Sequence, residues 1–103
     1  MRVYVSGPMT GLPNLNFPAF HKAAASLRAS GYEVVNPAEL DESDGVDLPW
    51  ADYLRRDIRY LLDCTHIALL PGWENSRGAR LEKHIADELG MRPIFITQEA
   101  TPA

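Results

Sequence analysis

The stretch His66-Ile67-Ala68-Leu69-Leu70, followed at once by Pro71-Gly72, decides the fold. Its apolar residues do not alternate with polar ones, so it does not read as a half-exposed strand. A continuous run of this kind predicts a strand buried on both faces of a parallel sheet. Pro71-Gly72 ends it. Beyond that turn Ser76 can cap a helix running through Leu89, and Gly90 closes it. Pro93 to Thr97 then makes a further strand.

The same alternation continues toward the N-terminus. Arg2 to Ser6 reads as a short strand rich in β-branched and aromatic residues. A loop of backbone breakers follows, Gly7-Pro8-Met9-Thr10-Gly11-Leu12-Pro13-Asn14. Asn16 is placed to cap a helix with Pro18 in its first turn; Phe17, Phe20, Ala24 and Leu27 recur at helical spacing, and Gly31 supplies the stop. Tyr32 to Val35 is the second strand, halted by Asn36-Pro37. Ala38 to Pro49 is acidic and loop-like (Asp41, Glu42, Asp44, Asp47), with one turn of helix allowed. The next helix runs from about Trp50 to Leu62, with Leu54, Ile58, Leu61 and Leu62 on its inner face.

The order is therefore β-α-β-α-β-α-β. It predicts a single three-layer α/β/α domain over residues 1–97, with a four- or five-stranded parallel sheet of the flavodoxin-like or Rossmann-like kind. Residues 98–103 are expected to form a flexible tail. Ligands of such open sheets sit beyond the carboxyl ends of the strands. That rule nominates the loops Gly7 to Asn16, Asn36 to Pro49 and Pro71 to Arg77.

Composition bounds the function. With 103 residues there is room for one domain, and 46% apolar and 23% charged residues are ordinary for a globular chain. A formal net charge of −4 argues against a nucleic-acid polymer as the main partner, because neutralising phosphates needs a basic face. The single cysteine, Cys64, allows no intrachain disulfide and no Cys-rich metal site. No stretch reads as a secretory signal or a membrane span, so a cytoplasmic setting without membrane contact is expected.

Two segments carry candidate chemistry. In the first loop, Gly7 and Gly11 flank Pro8-Met9-Thr10, so backbone can approach a ligand closely and Thr10 adds a hydroxyl. The segment matches neither a Walker loop nor a dinucleotide fingerprint, and it reads equally well as a tight turn. In Ser76-Arg77-Gly78-Ala79-Arg80-Leu81-Glu82, the first-turn N–H groups with Ser76 form an anion site to which Arg77 adds a cation. Glu82 points into the cleft if Gly78 and Ala79 hold the helix close to the strand ends; otherwise it is a solvated helix residue. Asp57, within Arg55-Arg56-Asp57-Ile58, reads by itself as part of a surface ion-pair cluster. His21, His66 and His84 lack zinc-ligand spacing, and Cys64 reads as an inert core thiol. Trp50 and Trp73 flank the pocket loops, placed either to stack on a base or simply to pack.

Taken together, Val3 to Gly11, Arg56-Asp57-Ile58 with Asp63, and Ser76 to Glu82 resemble the nucleoside 2-deoxyribosyltransferase superfamily over nearly the whole chain. Within it the chain looks closest to a small phage and bacterial branch related to the deoxynucleoside 5′-monophosphate N-glycosidases. The resemblance implies roles. Ser76, Gly78 and Glu82 match the Ser-x-Gly-x-x-x-Glu pattern of the catalytic glutamate, Tyr4 matches a strand tyrosine beside the sugar, and Asp57 matches an aspartate near the deoxyribose. Ser76 and Arg77 would hold a 5′-phosphate. Residues of a neighbouring subunit would complete the site, implying a homodimer or higher oligomer, and no metal or organic cofactor is implied.

The implied reaction is cleavage of an N-glycosidic bond in a nucleoside or nucleoside monophosphate, with Glu82 as nucleophile and either water or a second base as acceptor. The chain departs from the pattern at Arg80 and Lys83 around Glu82, and in the loop Leu12 to Pro18. Those departures motivate an alternative, a catalytically inactive nucleotide-binding module acting as sensor or sequestering protein. A third reading is an interaction domain using Arg55, Arg56 and the acidic loop.

Overall fold

Successive residues of a strand point to opposite faces, so the first strand divides the core into two. The computed structural model describes residues 1–45 and 48–97. In it β1 (Arg2–Ser6) is buried from Val3 to Ser6. Val3 and Val5 pack on one face against Phe20, Ala23 and Leu27 of α1 (Phe17–Ala29) and Ala38 of α2 (Pro37–Asp44). Tyr4 packs on the other face against Leu61 of α3 (Trp50–Leu61) and Ala86 of α4 (Arg77–Glu88). Helices thus cover both sides of the sheet.

The sheet is completed by β2 (Glu33–Val35), β3 (His66–Leu69) and β4 (Arg92–Phe95). All pairings are parallel, and the strand order is β2-β1-β3-β4. Every residue of β3 is buried, as its unbroken apolar run requires. In the central register Tyr4 lies beside Ile67 and Ser6 beside Leu69. The chain leaves β1 toward one face and β3 toward the other, so a crevice opens between their carboxyl ends. This is the expected α/β fold, with four strands.

Several local expectations need correction. The acidic segment forms the eight-residue helix α2, not a loop with a single turn. Asn36, read as the stop of β2, is also its cap: its side chain accepts a hydrogen bond from the Ala38 N–H at 3.0 Å, and Pro37 fits the first helical position. The helix count therefore rises by one. Leu62 is 55% exposed and lies past the end of α3, so the inner face of that helix ends with the buried Leu61.

Asn16 precedes α1, but its side chain does not cap it; the amide nitrogen donates to the Pro8 carbonyl at 2.9 Å. A short 3-10 turn, Pro13–Asn16, carries left-handed φ values at Asn14, Leu15 and Asn16. The tail 98–103 and Asp47 lie outside the described residues. Among the described residues no helix is long and apolar enough to cross a membrane.

Candidate active site

Residues Ala79, Glu82 and Ala86 recur at helical spacing along the face of α4 that meets the sheet, and all three are buried. The alanines let the helix lie close to the strands, and this carries Glu82 to the end of β1. Ser76 fixes the start of the helix, its Oγ accepting from the Ala79 N–H at 3.2 Å. Gly78 plays no part in the close approach, since a Cβ there would meet nothing within 4 Å. The contact side is Ala79, 2% exposed.

On β1, Tyr4 and Ser6 are two residues apart and so share the face turned to α4. The Tyr4 hydroxyl donates to Glu82 Oε2 at 2.9 Å, and the Ser6 hydroxyl donates to Oε1 at 2.7 Å. Glu82 is 6% exposed, and Tyr4 is fully buried. Two residues far away in the chain therefore hold one buried carboxylate, one at each oxygen. Burial, then the neighbouring Asp57 charge, push the Glu82 carboxyl up to about 7 against the pull of the two hydroxyls. The Tyr4 phenol is held well above its ordinary range, first by burial and then by the Glu82 and Asp57 carboxylates, so it stays a donor.

Asp57 comes to the same place from α3. It is pushed up to about 6 by burial, with Arg56 drawing it down and Asp41 pushing it up. Arg56 grips one oxygen only: Nε and Nη2 donate to Asp57 Oδ1 at 3.0 and 2.8 Å. Nη2 also donates to Asp41 Oδ1 of α2 at 2.6 Å. The Arg56 guanidinium lies over the Tyr53 ring, 5.3 Å from its centroid. The expected surface ion-pair cluster is thus largely buried, with Arg56, Asp41 and Asp57 side chains 13%, 8% and 15% exposed.

A cavity of about 710 Å³ stands over these groups, lined by Tyr4, Ser6, Asp57 and Glu82 among others. Gly7, Pro8, Met9 and Thr10 line one wall, and Ser76, Arg77 and Gly78 another. Gly11 does not line it; with φ +83° it makes the turn that the Leu12 N–H closes onto the Met9 carbonyl at 3.1 Å. Gly7 lines the cavity but is also required by packing, since a Cβ there would stand 2.7 Å from Leu70 Cβ. At the mouth, the Arg77 guanidinium lies over the Trp50 ring, 4.3 Å from its centroid. Trp73 packs instead beside the core of the α3–α4 side.

The charged neighbours of Glu82 on α4 turn away from the cavity. Arg80 is exposed, and Lys83 Nζ bonds both oxygens of Asp87 at 2.7 Å. His21 meets Glu42 at 2.9 Å on the surface, and the buried His66 meets Thr65 Oγ1 at 2.7 Å. Cys64 is buried, and burial pushes its thiol up to about 11, away from nucleophile chemistry. Among the described residues no group of three or more His, Cys, Asp or Glu is arranged to hold a metal ion.

Three contributors were not singled out from the sequence. Ser6 was within reach, because it follows Tyr4 by two on one strand. Arg56 and Asp41 were not, because pairing them depends on a helix, α2, that the acidic composition hid. Residues 1–95 match the family described as a domain of unknown function, DUF4406, and the chain belongs to it. No curated protein matches the chain.

Proposed function

We propose that this member of the DUF4406 family cleaves or exchanges the N-glycosidic bond of a nucleoside or nucleoside monophosphate. The observation that carries the reading is the buried Glu82 carboxylate, held at both oxygens by Tyr4 and Ser6 beside a second carboxylate, Asp57, under an open cavity. Burying a carboxylate with no cation against it is costly, and groups perturbed in this way within a cleft cluster at functional sites. Paired carboxylates with separated environments are the equipment of glycosyl transfer.

In this mechanism the substrate sugar lies over Glu82. The Glu82 carboxylate attacks the anomeric carbon as the bond to the base nitrogen breaks. The base leaves with the electron pair and takes a proton from solvent. A glycosyl ester forms on Glu82. Water then attacks the anomeric carbon as its bond to the Glu82 oxygen breaks, giving its proton to solvent and leaving free sugar and the regenerated carboxylate; a second base in place of water gives transfer. Asp57 accepts a hydrogen bond from a sugar hydroxyl, and Tyr4 and Ser6 aim the Glu82 oxygens. Ser76, Arg77 and Gly78 at the start of α4 line the same cavity, and a helix N-terminus there would supply donors for a 5′-phosphate when one is present.

The test is incubation of the protein with a panel of deoxynucleosides and their monophosphates, with and without acceptor bases, and chromatography of released or exchanged base. Base release that disappears in Glu82→Ala is expected. Tight nucleotide binding by calorimetry with no base released would replace this reading with that of a binding module.

A further inference from the structure

We propose that Arg56, clamped between Asp41 and Asp57, is a positioning residue that keeps Asp57 charged beside Glu82 and turns one Asp57 oxygen toward the substrate. The inference rests on the reading of the cleft given above, since it assigns a task within the same pair. Arg56 does not line the cavity, whereas Asp57 and Asp41 do. It therefore acts through them.

The geometry is asymmetric. Nε and Nη2 both donate to Asp57 Oδ1 and neither to Oδ2. A bidentate fork would have taken both oxygens; this one occupies a single oxygen of a residue that lines the cavity. Nη2 is shared with Asp41 Oδ1. Nη1 is buried without a hydrogen bond, 3.5 Å from Asp44 Oδ2. Here the guanidinium is turned so that Asp57 takes two of its donors and Asp41 one.

The charged and titratable groups that face Asp57 come from four elements. Arg56 is on its own helix α3, Asp41 on α2, Tyr4 on β1 and Glu82 on α4. Of these only Arg56 is cationic, and a guanidinium keeps its charge at every working pH. Without it the charged groups among the described residues that face Asp57 would be the carboxylates of Asp41 and Glu82. Asp57 would then take up a proton at neutral pH and lose the charge with which it accepts from a sugar hydroxyl.

The experiment uses full-length protein with carboxyl-¹³C-labelled Asp and Glu, followed by NMR across pH, together with the pH profile of base release. Arg56→Gln is expected to move the Asp57 titration alkaline by about one pH unit or more. Asp41→Asn, which removes a competing negative charge, is expected to move it the other way. Arg56→Lys keeps the charge but not the fork, so it should hold the titration near the native position while lowering kcat more than it changes KM. Opposite shifts in the Gln and Asn variants support the proposal. An unmoved Asp57 titration in Asp41→Asn, or in a folded Arg56→Gln, overturns it, whatever the activity. If Arg56→Gln does not fold, Asp41→Asn and Arg56→Lys decide the question alone. Absence of base release in the native protein, with the titrations shifted as expected, would refute the glycosidase reading and leave the clamp standing.

Discussion

Replacing Glu82 by glutamine should make the protein more stable at neutral and alkaline pH while removing its activity. The folded state holds the Glu82 proton up to about pH 7, whereas the unfolded chain releases it near the ordinary value of 4.5. Between those values the native state binds more protons than the unfolded one, so stability falls as pH rises, and above about 7 the loss is complete. At about 1.4 kcal/mol per pH unit the full loss is about 3 kcal/mol. Glutamine is nearly isosteric, accepts from one hydroxyl and donates to the other, and carries no charge to desolvate. The difference between variant and native protein should therefore be near zero at pH 4.5, grow through pH 6 and level off near pH 7.5. For a domain of this size it corresponds to about 10 °C or more in Tm. Removing the Glu82 charge also eases the ionisation of Asp57, which acts in the same direction at high pH. Urea and thermal unfolding at pH 4.5, 6, 7 and 8 measure the curve. Parallel pH dependence in the two proteins, or a glutamine variant less stable at pH 8, would refute the picture of a carboxylate held against its solvation.

Other expectations follow from the same contacts. Tyr4→Phe and Ser6→Ala each remove a donor from the charged form of Glu82, so in each variant the acid limb of the base-release profile should move to higher pH, by up to about one pH unit. Gly7→Ala places a Cβ 2.7 Å from Leu70 Cβ and should lower stability by about 1–3 kcal/mol, read by urea unfolding. Ser76→Ala removes the cap of α4 and should cost about 1 kcal/mol by the same measurement. Cys64, buried and with its thiol pushed up to about 11, should react with a disulfide reagent at pH 8 only as fast as the domain unfolds.

The fold was legible because a few stretches admit one reading. The run His66 to Leu70 has no polar side for water to occupy, and Arg2 to Ser6 ends at breakers on either hand. Parallel strands joined by helices leave little topological freedom. The helix α2 was missed because its solvated face is nearly all acidic, and acidity looks like a loop until Asn36 is seen as a cap. Asn16 misled in the opposite sense: a residue type suited to capping spends its amide on the Pro8 carbonyl. At the site, the motif spacing of Ser76 to Glu82 was visible, but the direction in which Glu82 points depends on Ala79 and Ala86 lying against the sheet. Arg56 shows the limit most clearly. Its partner Asp41 is fifteen residues away on an element the sequence hid, so nothing local distinguished it from a surface arginine.

The most direct measurement is acid quenching of the protein during turnover, followed by mass spectrometry of its peptides. A deoxyribosyl ester located on Glu82, present with substrate and absent from Tyr4→Phe in proportion to its lost rate, is the predicted result. Base release that proceeds with no adduct at Glu82, or with the ester on Asp57, would contradict the assignment of the nucleophile on which the rest depends.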